Sequence, residues 1–322
     1  MAIDPYANCQ ADPNFDFNLC TLETCCLAQS SFTYIPDFGG NVFFCVWFGL
    51  LIIPQLYFGI KHRVWGYMIS MIIGLVFEIV GYVGRLQLHD NPWSDNGFLI
   101  YLIFLTIAPV FITAAIYLCL TRIIITFNED KSRVQPKWIA IGFMTSDFLS
   151  LVLQGAGGGI ADTADTDSGQ QVGVDVMIAG LVLQAVSIAA FLLVCIDFFW
   201  RCRNDLDMEY LKSQTRNRTM FKLFLGGLVL ATLSIEARSI YRVIELWQGF
   251  SGKLWNDEID FMVLDGAMCS FACLLLSILH PGPAFLEQWK AANWTFKSKK
   301  QNAEGMELVG SKATSMESNI CK

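Results

Sequence analysis

The segment Glu236-Ala-Arg-Ser-Ile-Tyr-Arg-Val-Ile-Glu245 places four charged side chains at the end of an apolar stretch, Thr219 to Ile244, long enough to cross a bilayer. A charge at membrane depth faces a bundle interior or a water-filled cavity, and there it can pair with another charge, carry a proton or meet a ligand cation. At helical spacing Arg238, Tyr241, Arg242 and Glu245 share one face, while Glu236 points toward a second neighbour. Three other apolar stretches carry acids at a matching position. Counting inward from the predicted outer ends, Glu78 lies seven residues from Arg85, Asp147 seven from Gln154, Arg238 seven from Glu245 and Asp265 seven from Glu258. At the helical rise this sets all four about 10 Å inside the outer boundary, with Glu236 about 3 Å deeper.

Glu78, Tyr82 and Arg85 share a face, as do Asp147, Ser150 and Gln154, so each helix offers a polar stripe. The pattern predicts an outward-opening polar cavity lined by spans two, four, six and seven, joined by Gln184 and Ser187 of the fifth. Acids outnumber bases in it, and an unpaired buried carboxylate could bind a proton or a ligand amine. The competing reading makes these residues interhelical ion pairs that fix the bundle, such as Glu78 with Arg238 and Asp265 with Arg242.

Seven apolar stretches must position these side chains: about 41–60, 64–84, 98–125, 138–154, 174–200, 219–244 and 259–279. The composition agrees, with 54% hydrophobic and 16% charged residues among 322 and a mean hydropathy of +0.46. The expected fold is all-α, a polytopic seven-helix bundle. The fourth span is the shortest, and the run Gly155-Ala-Gly-Gly-Gly159 is expected to mark its exit from the membrane. Pro109 is a candidate kink in the third. Eighteen Lys and Arg fall on one side of the spans and three on the other. By the positive-inside rule the N-terminus lies outside and the C-terminus in the cytosol. Three regions follow: an extracellular tail over 1–40, a transmembrane domain over 41–283 and a polar cytosolic tail over 284–322.

The first tail holds Cys9, Cys20, Cys25 and Cys26, which could form two disulfides in any of three pairings if it faces an oxidising compartment. Asp4, Asp12, Asp16, Glu23, Asp162, Asp165, Asp167 and Asp175 make the outer side acidic, a field that favours cationic solutes. No phosphate-cradling Gly-rich loop is present, and His62, His89 and His280 are too dispersed for a zinc site. The seventh span has no Lys for a retinal Schiff base, and it ends in His280-Pro-Gly-Pro283 without a rhodopsin-type signature. No nucleophile or metal set points to an enzyme, and no cofactor, metal or nucleic-acid partner is called for.

Several segments, taken in order, resemble the fungal RTA-like family of lipid-translocating exporters, named for resistance to 7-aminocholesterol. They are Glu78-Ile-Val-Gly-Tyr-Val-Gly-Arg85; Ala108-Pro109 with Ala115-Ile-Tyr-Leu118 and Arg122; and Asp147-Phe-Leu-Ser-Leu-Val-Leu-Gln-Gly155. Gly180 with Gln184, Arg238-Ser-Ile-Tyr-Arg-Val-Ile-Glu245, Glu258 with Asp265, and His280-Pro-Gly282 continue the match across residues 41 to 283. The resemblance implies seven helices, a plasma-membrane address, and movement of or resistance to amphiphiles such as sphingoid long-chain bases and sterol amines. Membrane lipids and an amphiphilic small molecule are then the expected partners, with a cytosolic regulator as a further one. In this expectation Glu78, Asp147, Glu236 and Asp265 receive a cationic headgroup or protons, and Arg238 and Arg242 hold the acids in register. The alternative is a seven-helix sensor that binds such a lipid without moving it.

Overall fold

The computed structural model describes residues 9, 20–21, 24–30, 32–127, 135–164, 166–202, 218–250 and 252–285. The expected cytosolic tail beyond residue 285 and most of the basic loops lie outside the described residues. The helices are α1 (Phe38–His62), α2 (Trp65–Asp90), α3 (Asp95–Phe127), α4 (Pro136–Thr163), α5 (Asp167–Cys202) and α6 (Arg218–Leu246). The seventh, α7, begins with a turn at Glu258–Asp260, passes through a π-helical segment at Phe261–Ala267 and continues over Met268–Ile278; a short α8 (Pro281–Phe285) follows. Among the described residues seven helices are thus long and apolar enough to cross a membrane. Their outward faces carry Phe43, Leu50, Ile53, Phe148, Leu193 and Trp200, all exposed, as lipid contact requires.

Local signals set the ends. Asp37 caps α1 by accepting the Gly40 N–H at 2.6 Å. Arg63 closes it in the left-handed region at φ 55°, leading through Val64 directly into α2. Consecutive helices pack on one another and α7 closes against α1, while α3 also touches α6. Of the seven, α3 is the most enclosed, with 56% of its apolar window buried, so it forms the centre of the bundle.

The Gly-rich run of α4 does not end the helix, contrary to the sequence expectation; α4 continues to Thr163. The reason is close packing. A Cβ on Gly157 would lie 2.6 Å from both Gly173 O and Met177 N of α5, and one on Gly180 would lie 2.9 Å from Ser150 O. Small residues let the two backbones meet, and the interhelical packing this permits outweighs the low helix propensity of glycine.

The N-terminal segment caps one end of the bundle. Disulfides join Cys9 to Cys26 and Cys20 to Cys25, which selects one of the three pairings open in the sequence. Cys20, Cys25 and Leu27 pack on Trp93 beside the α2–α3 turn. Phe32 stacks on Trp255 with centroids 5.5 Å apart, the Thr33 N–H donates to Asn256 Oδ1 at 2.9 Å, and the Asp37 N–H donates to Glu258 Oε1 at 2.6 Å. The plug is therefore fastened mainly to the α6–α7 connection and the start of α7.

Candidate functional site

Beneath this plug α2, α6 and α7 bring together Glu78, Arg238, Arg242, Glu245 and Asp265, all buried. Asp265 lies on the π-helical segment and meets both arginines: Oδ1 is 3.0 Å from Arg238 Nη2 and 3.3 Å from Arg242 Nε. Neither contact is aligned as a hydrogen bond, so Asp265 is held by charge with its lone pairs unengaged. Arg242 Nη1 donates to Glu245 Oε2 at 2.7 Å and to the Tyr101 hydroxyl at 3.4 Å. The Tyr241 hydroxyl donates to Glu245 Oε1 at 3.5 Å.

The Arg242–Asp265 pair matches the sequence reading; the expected pair of Glu78 with Arg238 does not form. Arg238 instead divides itself between Asp265 and the Leu105 carbonyl, to which Nη2 donates at 2.7 Å. That carbonyl stands four residues before Pro109, which has no N–H to return to it. Glu78 is left without an ion pair among the described residues. Its Oε1 accepts from Cys269 Sγ at 3.0 Å and its Oε2 has no hydrogen-bond partner. Tyr82 lies alongside, stacked on Phe44 at 5.0 Å, and Gly266 leaves room for it: a Cβ there would sit 2.6 Å from the Tyr82 hydroxyl.

Arg85 forms the layer between network and plug. Nε donates to Asn41 Oδ1 at 3.0 Å, and Nη2 donates to the Tyr34 hydroxyl at 3.1 Å and to Glu258 Oε1 at 3.3 Å. The guanidinium lies 4.0 Å from the Phe261 ring centroid. Asn41, Tyr34 and Tyr101 were missed by the sequence reading; an Asn at the start of an apolar span was the one available signal.

The expected single layer divides in two. Asp147 belongs to a separate cluster of α3, α4 and α5, where Oδ2 accepts from the Thr113 hydroxyl at 3.0 Å and the Tyr117 hydroxyl at 2.9 Å. Gln154 Nε2 donates to Gln184 Oε1 at 3.2 Å and to Ser150 Oγ at 2.6 Å, and Ser150 donates to Gly180 O at 2.7 Å. Glu236 joins neither cluster; it is half-buried at the edge of α6, and its Oε2 has no partner. An equal count of residues from the helix ends does not mean a common azimuth. Nor do these residues line a cavity of about 500 Å³ that lies among the N-terminal segment, α3, α4, α5 and the α6–α7 connection. Among the described residues no group of His, Cys, Asp and Glu is arranged to hold a metal ion.

In the α2–α6–α7 network three carboxylates face two guanidinium groups, Arg85 being turned toward Glu258. A surplus acid in a low-dielectric core can be met by a proton or by the ammonium of a ligand.

Fold and network together define an integral membrane protein of seven helices with charge sealed in its core. A family model described as RTA1 like protein matches residues 71–288. The chain is 31% identical over 280 residues to the sphingoid long-chain base transporter RSB1 of Saccharomyces cerevisiae, covering 78% of this chain and 73% of that one. It is 27% identical over 213 residues to protoporphyrin uptake protein 1 of the same yeast, covering 65% and 67%, and 27% identical over 216 residues to its protein RTM1, covering 65% and 66%. No solved structure matches. The chain belongs to the RTA1-like family.

Proposed function

We propose that this protein moves single-chain cationic amphiphiles of the sphingoid-base type across the membrane, exporting them from the cytosolic side of the plasma membrane, with its N-terminus outside. The carrying observation is Glu78: a fully buried carboxylate without an ion pair among the described residues, the acid in excess beside two carboxylates, Glu245 and Asp265, that are matched by Arg238 and Arg242. Such a group suits a cycle in which a proton and a ligand ammonium alternate at one position. Asp265, on its π-helical turn, would respond to that exchange through both arginines, because π-segments give a helix a local means of shifting register. The named activity of the relative RSB1 supports the substrate class. The apolar tail would remain in lipid or between helices, so no aqueous pore is needed.

The test is flux of a labelled sphingoid base in proteoliposomes. Wild type is expected to transport, and Glu78→Gln and Asp265→Asn to lower the rate at least about tenfold, a barrier increase of roughly 1.4 kcal/mol or more, with the fold retained. Flux equal to wild type in both variants would remove the network from the mechanism. The plug over the network favours one second reading, a sensor that binds the base without moving it. Saturable binding with no flux by wild type would select that reading.

A further inference from the structure

The cavity of about 500 Å³ falls in the size range of small-ligand sites and lies apart from the buried network. Among the described residues Asp95 is the only ionisable one lining it. That carboxylate is exposed and has no hydrogen bond or ion pair among the described residues. It is not needed as a helix cap either, since Ser94 Oγ accepts the Gly97 N–H at 3.2 Å. Two lining rings, Phe98 and Phe250, stand edge to face with centroids 6.0 Å apart. One carboxylate with aromatic rings and, among the described residues, no basic neighbour in the lining selects an organic cation.

The floor continues this chemistry toward the lipid. It includes Leu102 and Gly158, and a Cβ on Gly158 would come only within 4.0 Å of Leu102 and 3.8 Å of Met177. Gly155 and Gly159 share the Gly158 face of α4 at helical spacing, and a Cβ on either would meet nothing within 4 Å. The glycine run therefore has two uses: Gly157 closes on α5, and its companions leave bare backbone leading away from the cavity.

We propose that this cavity is the docking site for the headgroup of a long-chain primary amine carrying hydroxyls. Asp95 accepts the ammonium N–H groups, Phe98 and Phe250 flank it, Thr33 and Gln170 offer polar partners to the hydroxyls, and the tail lies along the glycine face of α4. The proposal rests on the amphiphile-transport reading and supplies it with a binding step on the side of the N-terminal segment, where the exported base is held before release, distinct from the residues that carry translocation.

Binding of tritiated sphinganine and of its uncharged N-acetyl derivative would be measured on the full-length protein in nanodiscs, alongside sphinganine flux. Asp95→Asn is expected to weaken sphinganine about tenfold and to leave the N-acetyl compound unchanged. Gly158→Leu should weaken both by filling the floor. In flux with sphinganine supplied at the face that carries the N-terminal segment, both variants should raise KM and keep kcat. If wild type binds and moves sphinganine and the two variants match it, the cavity is not the site and the transport reading stands. If wild type neither binds nor moves sphinganine, the transport reading falls and this site falls with it.

Discussion

Arg85 is buried among acceptors from three parts of the chain, Asn41, Tyr34 and Glu258, and its face lies against Phe261. A lysine offers a point charge without a fork or a stacking face, so Arg85→Lys leaves acceptors unmet and the ring uncovered. It should lower stability by about 3 kcal/mol, seen as a fall in the thermal midpoint in detergent. An unchanged midpoint would remove Arg85 as the fastening of the plug. Tyr34 gives a titration on the same contact. Burial raises its hydroxyl to about 12, with Arg85 beside it pulling the other way. The unfolded value is about 10, so the contribution of the neutral phenol is complete below pH 10 and is lost as pH rises from there through about 12. A difference spectrum of wild type against Tyr34→Phe should show one tyrosinate appearing near pH 12; ionisation near pH 10 would contradict the buried placement. The charge of Arg85 was legible in the sequence, but its partners were not, because Tyr34 arrives from a segment whose docking has no periodicity and Asn41 and Glu258 from helices whose facing is not written in their spacing.

At the scale of helices, hydropathy was enough to find all seven spans, since a bilayer leaves little choice for a long apolar segment. What it mistook was the glycine run of α4. Propensity counts the cost of each glycine in isolation, whereas Gly157 is compensated by a neighbour that sequence does not reveal. The two kinds of glycine in that run give opposite expectations. Gly157→Leu, forced against Gly173 O and Met177 N, should destabilise by about 1–3 kcal/mol. Gly155→Ala, with open space around the new methyl, should stabilise by up to about 1 kcal/mol. Paired detergent melts would check both, and a loss at Gly155 as large as at Gly157 would refute the assignment of faces. The π-helical turn under Asp265 was invisible for a related reason, since no residue type encodes it.

For the whole molecule, seven-residue spacings gave the charges a common expected depth but could not say which helices face each other. Hence one expected layer became two clusters with Glu236 outside both. Chain ends pose the same kind of question. The disulfide pairing Cys9–Cys26 and Cys20–Cys25 accords with a plug on the non-cytosolic face. In sealed cells a membrane-impermeant reductant followed by a thiol mass tag should add four tags to the N-terminal segment; tagging only after permeabilisation would invert the orientation.

One contact joins regions that are otherwise far apart in sequence. Arg238 on α6 supplies the Leu105 carbonyl with the donor that Pro109 cannot give it. The two residues thus behave as a complementary pair, each making the other's chemistry tolerable inside hydrocarbon. Restoring a peptide N–H with Pro109→Ala would not merely straighten α3; it would introduce a competitor for the acceptor that orients Arg238. A replacement of Arg238 should then be less damaging in that background than in the native one, and a double-mutant cycle should return a coupling of about 1 kcal/mol. Substitutions at one of these positions would accordingly be accepted more readily after a change at the other, a dependence with its origin in one missing proton.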